Sequence, residues 1–214
     1  MPQAARRLTR GAEFVAIFFV AVGAYAWVGS PGSPIPVLLV FGAVAFWWLR
    51  RQPDFHRGDL WRRDALRPAL RSILLTWAAA AVVGIAAVAL IRPDHLFDLP
   101  RTQPWLWLAV AIFYPLLSVY PQELLFRAFL LHRYAPAFGT GWPAAAASAV
   151  AFGFAHIIFG SIWSVLLTLA GGWLFARRFQ QTRSLLVASV EHSLYGVLAF
   201  TIGLGDLFYH GTIG

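Results

Sequence analysis

Seven stretches of this 214-residue chain are apolar enough to lie in hydrocarbon, and no other feature restricts the fold as tightly. They run from Ala12 to Val28, Ile35 to Leu49, Ile73 to Ile91, Pro104 to Tyr120 and on to Leu131, Trp142 to Ile158, Ile162 to Phe179, and Leu185 to Leu204. Lipid offers no partner for a backbone N–H or C=O, so a chain crossing it must satisfy these groups within helices or a closed barrel. Runs of about 20 apolar residues are helix-length rather than strand-length. The expected fold is an all-α, polytopic transmembrane helical bundle of seven helices. An eighth arises if Pro121 divides the fourth stretch, which at about 1.5 Å per residue is longer than one perpendicular crossing needs.

Composition agrees, with 59% hydrophobic and 12% charged residues, leaving too little polar sequence for a separate soluble domain. The reading is a single integral membrane domain over 1–214, with the chemistry-bearing core in 104–204. The first stretch carries no small-residue cleavage site and is followed by further spans, so it is expected to stay as the first helix. With no cysteine, thiolate catalysis, disulfides and Cys-based metal sites are excluded.

A net charge of +8 would suggest nucleic acid in a soluble protein, but here the charge is topological. All 17 basic residues are arginine, and apart from Arg127 they gather between or at the ends of the apolar runs. Counting from a cytoplasmic N-terminus, Arg6, Arg7, Arg10, the seven arginines between Arg50 and Arg71, Arg133, Arg177, Arg178 and Arg183 all fall inside; Arg92 and Arg101 fall outside. The expected location is the bacterial cytoplasmic membrane, with the lipid bilayer as partner and no nucleic acid. The loop from Arg50 to Arg71 reads as a topology-fixing loop, or as a helix lying on the anionic leaflet. Small residues at Ala144 to Ala149 and at Gly171-Gly172 predict close helix packing in the interior.

Ionisable groups inside such spans are costly and mark function or a structural pair. Gln122, Glu123 and Arg127 lie in PQELLFRAFLLHRY; His156 ends F-G-F-A-H begun by Phe152; Glu191 and His192 precede Tyr195 in SVEHSLYG. Glu123 and Arg127, four apart, share a helical face and can pair. Singly, each group has a quiet structural explanation. Three separate helices each carrying such groups favour convergence on one polar site. A carboxylate and an imidazole can activate water for attack on an amide, with a second imidazole or a hydroxyl meeting the oxyanion. His156, His192 and Glu123 are alternatively candidate ligands for zinc. There is no H-E-x-x-H and no G-x-S-x-G. A transporter reading is disfavoured because no internal repeat is present.

These residues resemble the CPBP family of intramembrane proteases, the CAAX-protease and bacteriocin-processing (Abi) group, which carries E-E-x-x-x-R, F-x-x-x-H and H-x-x-x-N on successive transmembrane helices. Here the motifs read Q-E-L-L-F-R at Gln122 to Arg127, F-G-F-A-H at Phe152 to His156, and H-S-L-Y-G at His192 to Gly196. The resemblance implies an intramembrane endopeptidase acting on a membrane-associated peptide or protein. It also places Gln122 where the family's water-activating Glu is expected, and Gly196 where its oxyanion-binding Asn is expected. Glu191 and Glu123 are then the candidate bases, and Tyr195 the candidate replacement donor. A catalytically inactive membrane scaffold, a pseudoprotease, is the alternative that Gln122 raises.

Overall fold

A computed structural model describes residues 3–29 and 33–208, and among them the ordered segments are helical. The long helices are α1 (Gln3–Trp27), α2 (Ile35–Arg50), α3 (Leu66–Ile91), α4 (Pro104–Arg133), α5 (Trp142–Phe159), α6 (Ile162–Thr182) and α7 (Leu185–Ile202). Of these, α1, α3, α4, α5 and α7 are long and apolar enough to cross a membrane; α2 is a shorter apolar helix, and α6 ends in the polar run Arg177 to Thr182. The outward faces suit hydrocarbon: Leu75, Val82, Val83 and Leu90 on α3 are exposed, as an apolar solvent would leave them.

Helix ends follow local chemistry. Pro104 opens α4 at a first-turn position, where the missing N–H costs nothing. The Ser184 hydroxyl accepts the Val187 N–H at the start of α7. Gly203 closes α7 in the left-handed region at φ 94°, where a side chain would also strike the His95 carbonyl.

Pro121 does not divide α4. The helix runs through it, and two wider π turns absorb the strain, at Pro115–Val119 and Leu124–Phe129. A proline removes one bond to the preceding turn and crowds the carbonyl four residues back; an i→i+5 turn opening at Pro115 relieves both. α2 leans on this region at Gly42, whose missing side chain leaves room for Pro121.

Two buried clusters fix the bundle. Phe14 and Phe18 of α1 meet Phe126, Phe152 and Phe175 of α4, α5 and α6. Leu49 of α2, with Phe55 and Leu60, meets Leu124, Phe179 and Leu185 of α4, α6 and α7. The second cluster shows that the segment between α2 and α3 neither hangs free nor forms a surface helix. It folds back under the bundle with Phe55, Leu60 and Asp59 buried, and Asp59 is held by Arg183 at 2.5 Å.

The small residues pack as their size suggests. Gly172 of α6 lies so close to α5 that an added Cβ would stand 3.1 Å from the Ala149 Cα and from the Phe152 ring. Gly172→Val is therefore expected to lower stability by about 1–3 kcal/mol, the usual cost of overpacking. Thermal unfolding in detergent, compared with Gly11→Val where nothing lies nearby, checks this.

Candidate active site

The polar residues of α4, α5 and α7 come together where the second π turn begins. Glu123 is fully buried; its Oε1 accepts from the His192 Nδ1 at 2.9 Å and forms an ion pair, without hydrogen-bond geometry, with the Arg127 Nη2 at 3.2 Å. A carboxylate only accepts, so Nδ1 carries the proton and the His192 Nε2 is the acceptor. The Tyr114 hydroxyl stands 3.3 Å from that Nε2 and can donate to it. Three residues from two helices thus form one chain: Tyr114 to His192 to Glu123.

Packing holds this chain in place. The His192 ring stacks on Phe175 at 4.5 Å and meets the Phe152 ring edge-on at 5.4 Å. The Arg127 guanidinium lies 4.5 Å over Phe152 and donates to Ser148 Oγ at 3.2 Å. Ser148 in turn donates to the Phe126 carbonyl at 2.6 Å, within the π turn. An aromatic face and a hydroxyl thus supplement the single carboxylate in compensating the buried cation. Glu123 Oε2 is buried and has no hydrogen-bond partner, leaving an oxygen of the acid uncommitted.

His156 joins the same aromatic wall. Its ring sits 4.7 Å from Phe152, and its Nδ1 donates to the Phe152 carbonyl at 2.8 Å, so its Nε2 is likewise left as an acceptor. Ser164 of α6 donates to the His156 carbonyl at 3.1 Å and fixes the turn that carries it.

Three sequence candidates face elsewhere. Glu191, next to His192 in sequence, is buried against α6, where Arg178 takes its two oxygens at 2.8 and 3.0 Å. Arg178 also donates to Ser72 of α3, so this pair binds three helices together. Tyr195 sets its ring edge-on to Phe175 at 5.9 Å and makes no hydrogen bond to His192. Gln122 turns its amide to Ser118 Oγ at 2.6 Å, and its Oε1 is buried without a partner.

Tyr114 is the residue sequence reasoning missed. Its ring fills the space beside Gly196: a Cβ there would collide with the Tyr114 ring and hydroxyl. The available signal was that Tyr114 is the lone hydroxyl-bearing aromatic in the run from Pro104 to Leu117.

A catalytic zinc asks for three protein ligands. Among the described residues no group of three His, Asp or Glu could hold a metal. His192 commits Nδ1 to Glu123 and faces Tyr114 with Nε2, while His156 commits Nδ1 to the backbone. The trio His156, His192 and Glu123 does not fit zinc in this geometry.

The ordered motifs now have a matching frame. The family described as Type II CAAX prenyl endopeptidase Rce1-like matches residues 100–198, just under half of the chain and the whole of the segment bearing Tyr114, Glu123, His156 and His192. No curated protein and no solved structure matches the chain. With its membrane-length helices the protein is an integral membrane protein. Over residues 100–198, the chain is similar to the family described as Type II CAAX prenyl endopeptidase Rce1-like.

Proposed function

We propose that the protein is an intramembrane endopeptidase that hydrolyses a membrane-associated peptide or protein with water activated by His192. The observation that supports this is the chain from Tyr114 through His192 to Glu123, buried between α4 and α7. Glu123 acts as the positioning residue: it holds the imidazole with Nε2 unprotonated and stabilises the cation formed when Nε2 takes a proton. Water gives that proton to Nε2 while its oxygen bonds to the scissile carbonyl carbon. The Tyr114 hydroxyl, released from Nε2, donates to the resulting oxyanion, and the uncommitted Nε2 of His156 orients the water. Collapse breaks the C–N bond, and His192 passes its proton to the leaving amine. Arg127 balances Glu123; Glu191 keeps α6 on α7 through Arg178. The active unit is 104–204 within a single domain over 1–214, and the arginine-rich helix ends face the cytoplasm of a bacterial cell.

Tyr114→Phe tests this reading because it keeps the ring that fills the space beside Gly196 and removes only the donor. Protein in liposomes is mixed with membrane-anchored peptides, prenylated and not, and new termini are read by mass spectrometry in H₂¹⁸O. Loss of one oxyanion donor is expected to cost about 10²–10³-fold in kcat with KM little changed. Unchanged turnover would remove Tyr114 from the mechanism.

Gln122 supports a second reading, a scaffold that keeps the polar site without turnover. Its amide is tied to Ser118, and the cavity of about 460 Å³ at the arginine-rich helix ends is lined by none of Glu123, His156, Glu191 or His192. An inactive wild-type protein in which Gln122→Glu starts hydrolysis would establish the scaffold.

A further inference from the structure

The cavity at the arginine-rich ends of the helices has a composition that the protease reading does not use. Its rim carries Arg6 and Arg10 from α1, Arg133 from the end of α4, and Arg183 after α6. Its floor is apolar, formed by Leu131, Ala144 and Phe179. Basic above and oily below, at a helix-end level, is the pattern of a pocket that takes a lipid by its head.

The ion pairs around the rim leave donors in excess. Arg10 and Arg133 share one carboxylate, Glu13, whose two oxygens already take bonds at 2.6, 2.8 and 3.0 Å. Each guanidinium has five N–H groups, so both arginines retain unused ones. Arg183 is held by Asp59. Arg6 has no carboxylate in ion-pair range among the described residues. His132, 3.5 Å from the exposed Asp54, adds a titratable group on the same wall. Three carboxylates, Glu13, Asp54 and Asp59, thus face four guanidiniums. Asp54 is mostly exposed, and Asp59 is buried beneath Arg183.

We infer that this cavity binds the phosphate headgroup of an anionic phospholipid, with Arg6, Arg10 and Arg133 on the phosphate and the first acyl methylenes on Leu131 and Phe179. A bidentate arginine fork suits a phosphate ester, and the apolar floor suits the acyl chains that a lipid has and a free phosphate lacks. The floor continues along α4 through Ala128, next in sequence to Arg127, so the headgroup sits behind the helix that carries the candidate site.

The test uses the full-length protein in a neutral detergent, titrated with short-chain phosphatidylglycerol, phosphatidylcholine or inorganic phosphate and read by native mass spectrometry. Phosphatidylglycerol is expected to bind at least tenfold more tightly than phosphatidylcholine. Arg6→Gln should weaken it about fivefold, the loss typical of one arginine near an anionic surface. Thr140→Trp, which fills the rim without altering charge, should weaken it tenfold or more. Arg67→Gln, an exposed arginine outside the cavity, should leave binding unchanged. Equal weakening by Arg67→Gln would reduce the effect to general surface charge and overturn the site. Competition by inorganic phosphate at the same concentration would overturn the lipid assignment, and indifference to Thr140→Trp would overturn the cavity.

Discussion

His192→Ala is expected to abolish hydrolysis, leaving no new termini above the uncatalysed background, because it removes the atom that takes and returns the proton. Glu123→Gln should be nearly as severe, at about 10³–10⁴-fold, by analogy with loss of the acid in other imidazole–carboxylate pairs. The amide can still accept the Nδ1 proton at 2.9 Å, so the ring stays in place, but a neutral group cannot stabilise the imidazolium. Because the amide also leaves Arg127 buried without its counter-charge, the Gln variant should unfold at a lower temperature than the wild type, and kcat per folded molecule is what reports the lost stabilisation of the imidazolium. Tyr195→Phe serves as the control, since the hydroxyl that bonds His192 is that of Tyr114. Glu191→Gln should lose stability through Arg178 while each folded molecule keeps its kcat. A Glu123→Gln protein with full activity would show that the carboxylate serves only Arg127.

The largest expected effect on stability belongs to Arg127→Met. It leaves the Glu123 carboxyl fully buried and without its cation, a change that costs about 3–5 kcal/mol when one partner of a buried pair is removed. It also strips the Phe152 face of its guanidinium and leaves Ser148 without that donor. Arg127→Lys should recover only part, because an ammonium cannot reach Glu123, lie flat over Phe152 and bond Ser148 together. The double variant Glu123→Gln with Arg127→Met should be more stable than Arg127→Met alone, since no unpaired charge remains. Equal melting temperatures for the single and double variants would show that the pair is not energetically coupled.

Much of this architecture is legible in the sequence. The apolar runs coincide with helices because a chain in lipid has little other choice, and the three motif segments sit at one site because buried ions seek company. What sequence spacing handles poorly is azimuth. Glu191 and His192 are neighbours in the chain, yet successive residues of a helix point about 100° apart, so one faces Arg178 on α6 and the other faces Glu123 on α4. Tyr195 falls on the α3 side for the same reason. Tyr114 escapes because its partnership with His192 spans 78 positions and depends on a glycine, Gly196, leaving a gap. The burial of Phe55, Leu60 and Asp59 is similarly hidden in a segment whose arginines advertise water.

The wide turn at Pro115–Val119 lies between Tyr114 and Glu123 and sets the angle at which the hydroxyl and the acid look toward α7. Were that turn wound as an ordinary α-helix, the preceding part of α4 would swivel by about 100° relative to the rest, the sweep of one residue. Tyr114 would then leave the imidazole while Glu123 stayed. The backbone itself is the timing gear between donor and acid, and a single-residue deletion there would throw the two out of phase without altering either side chain.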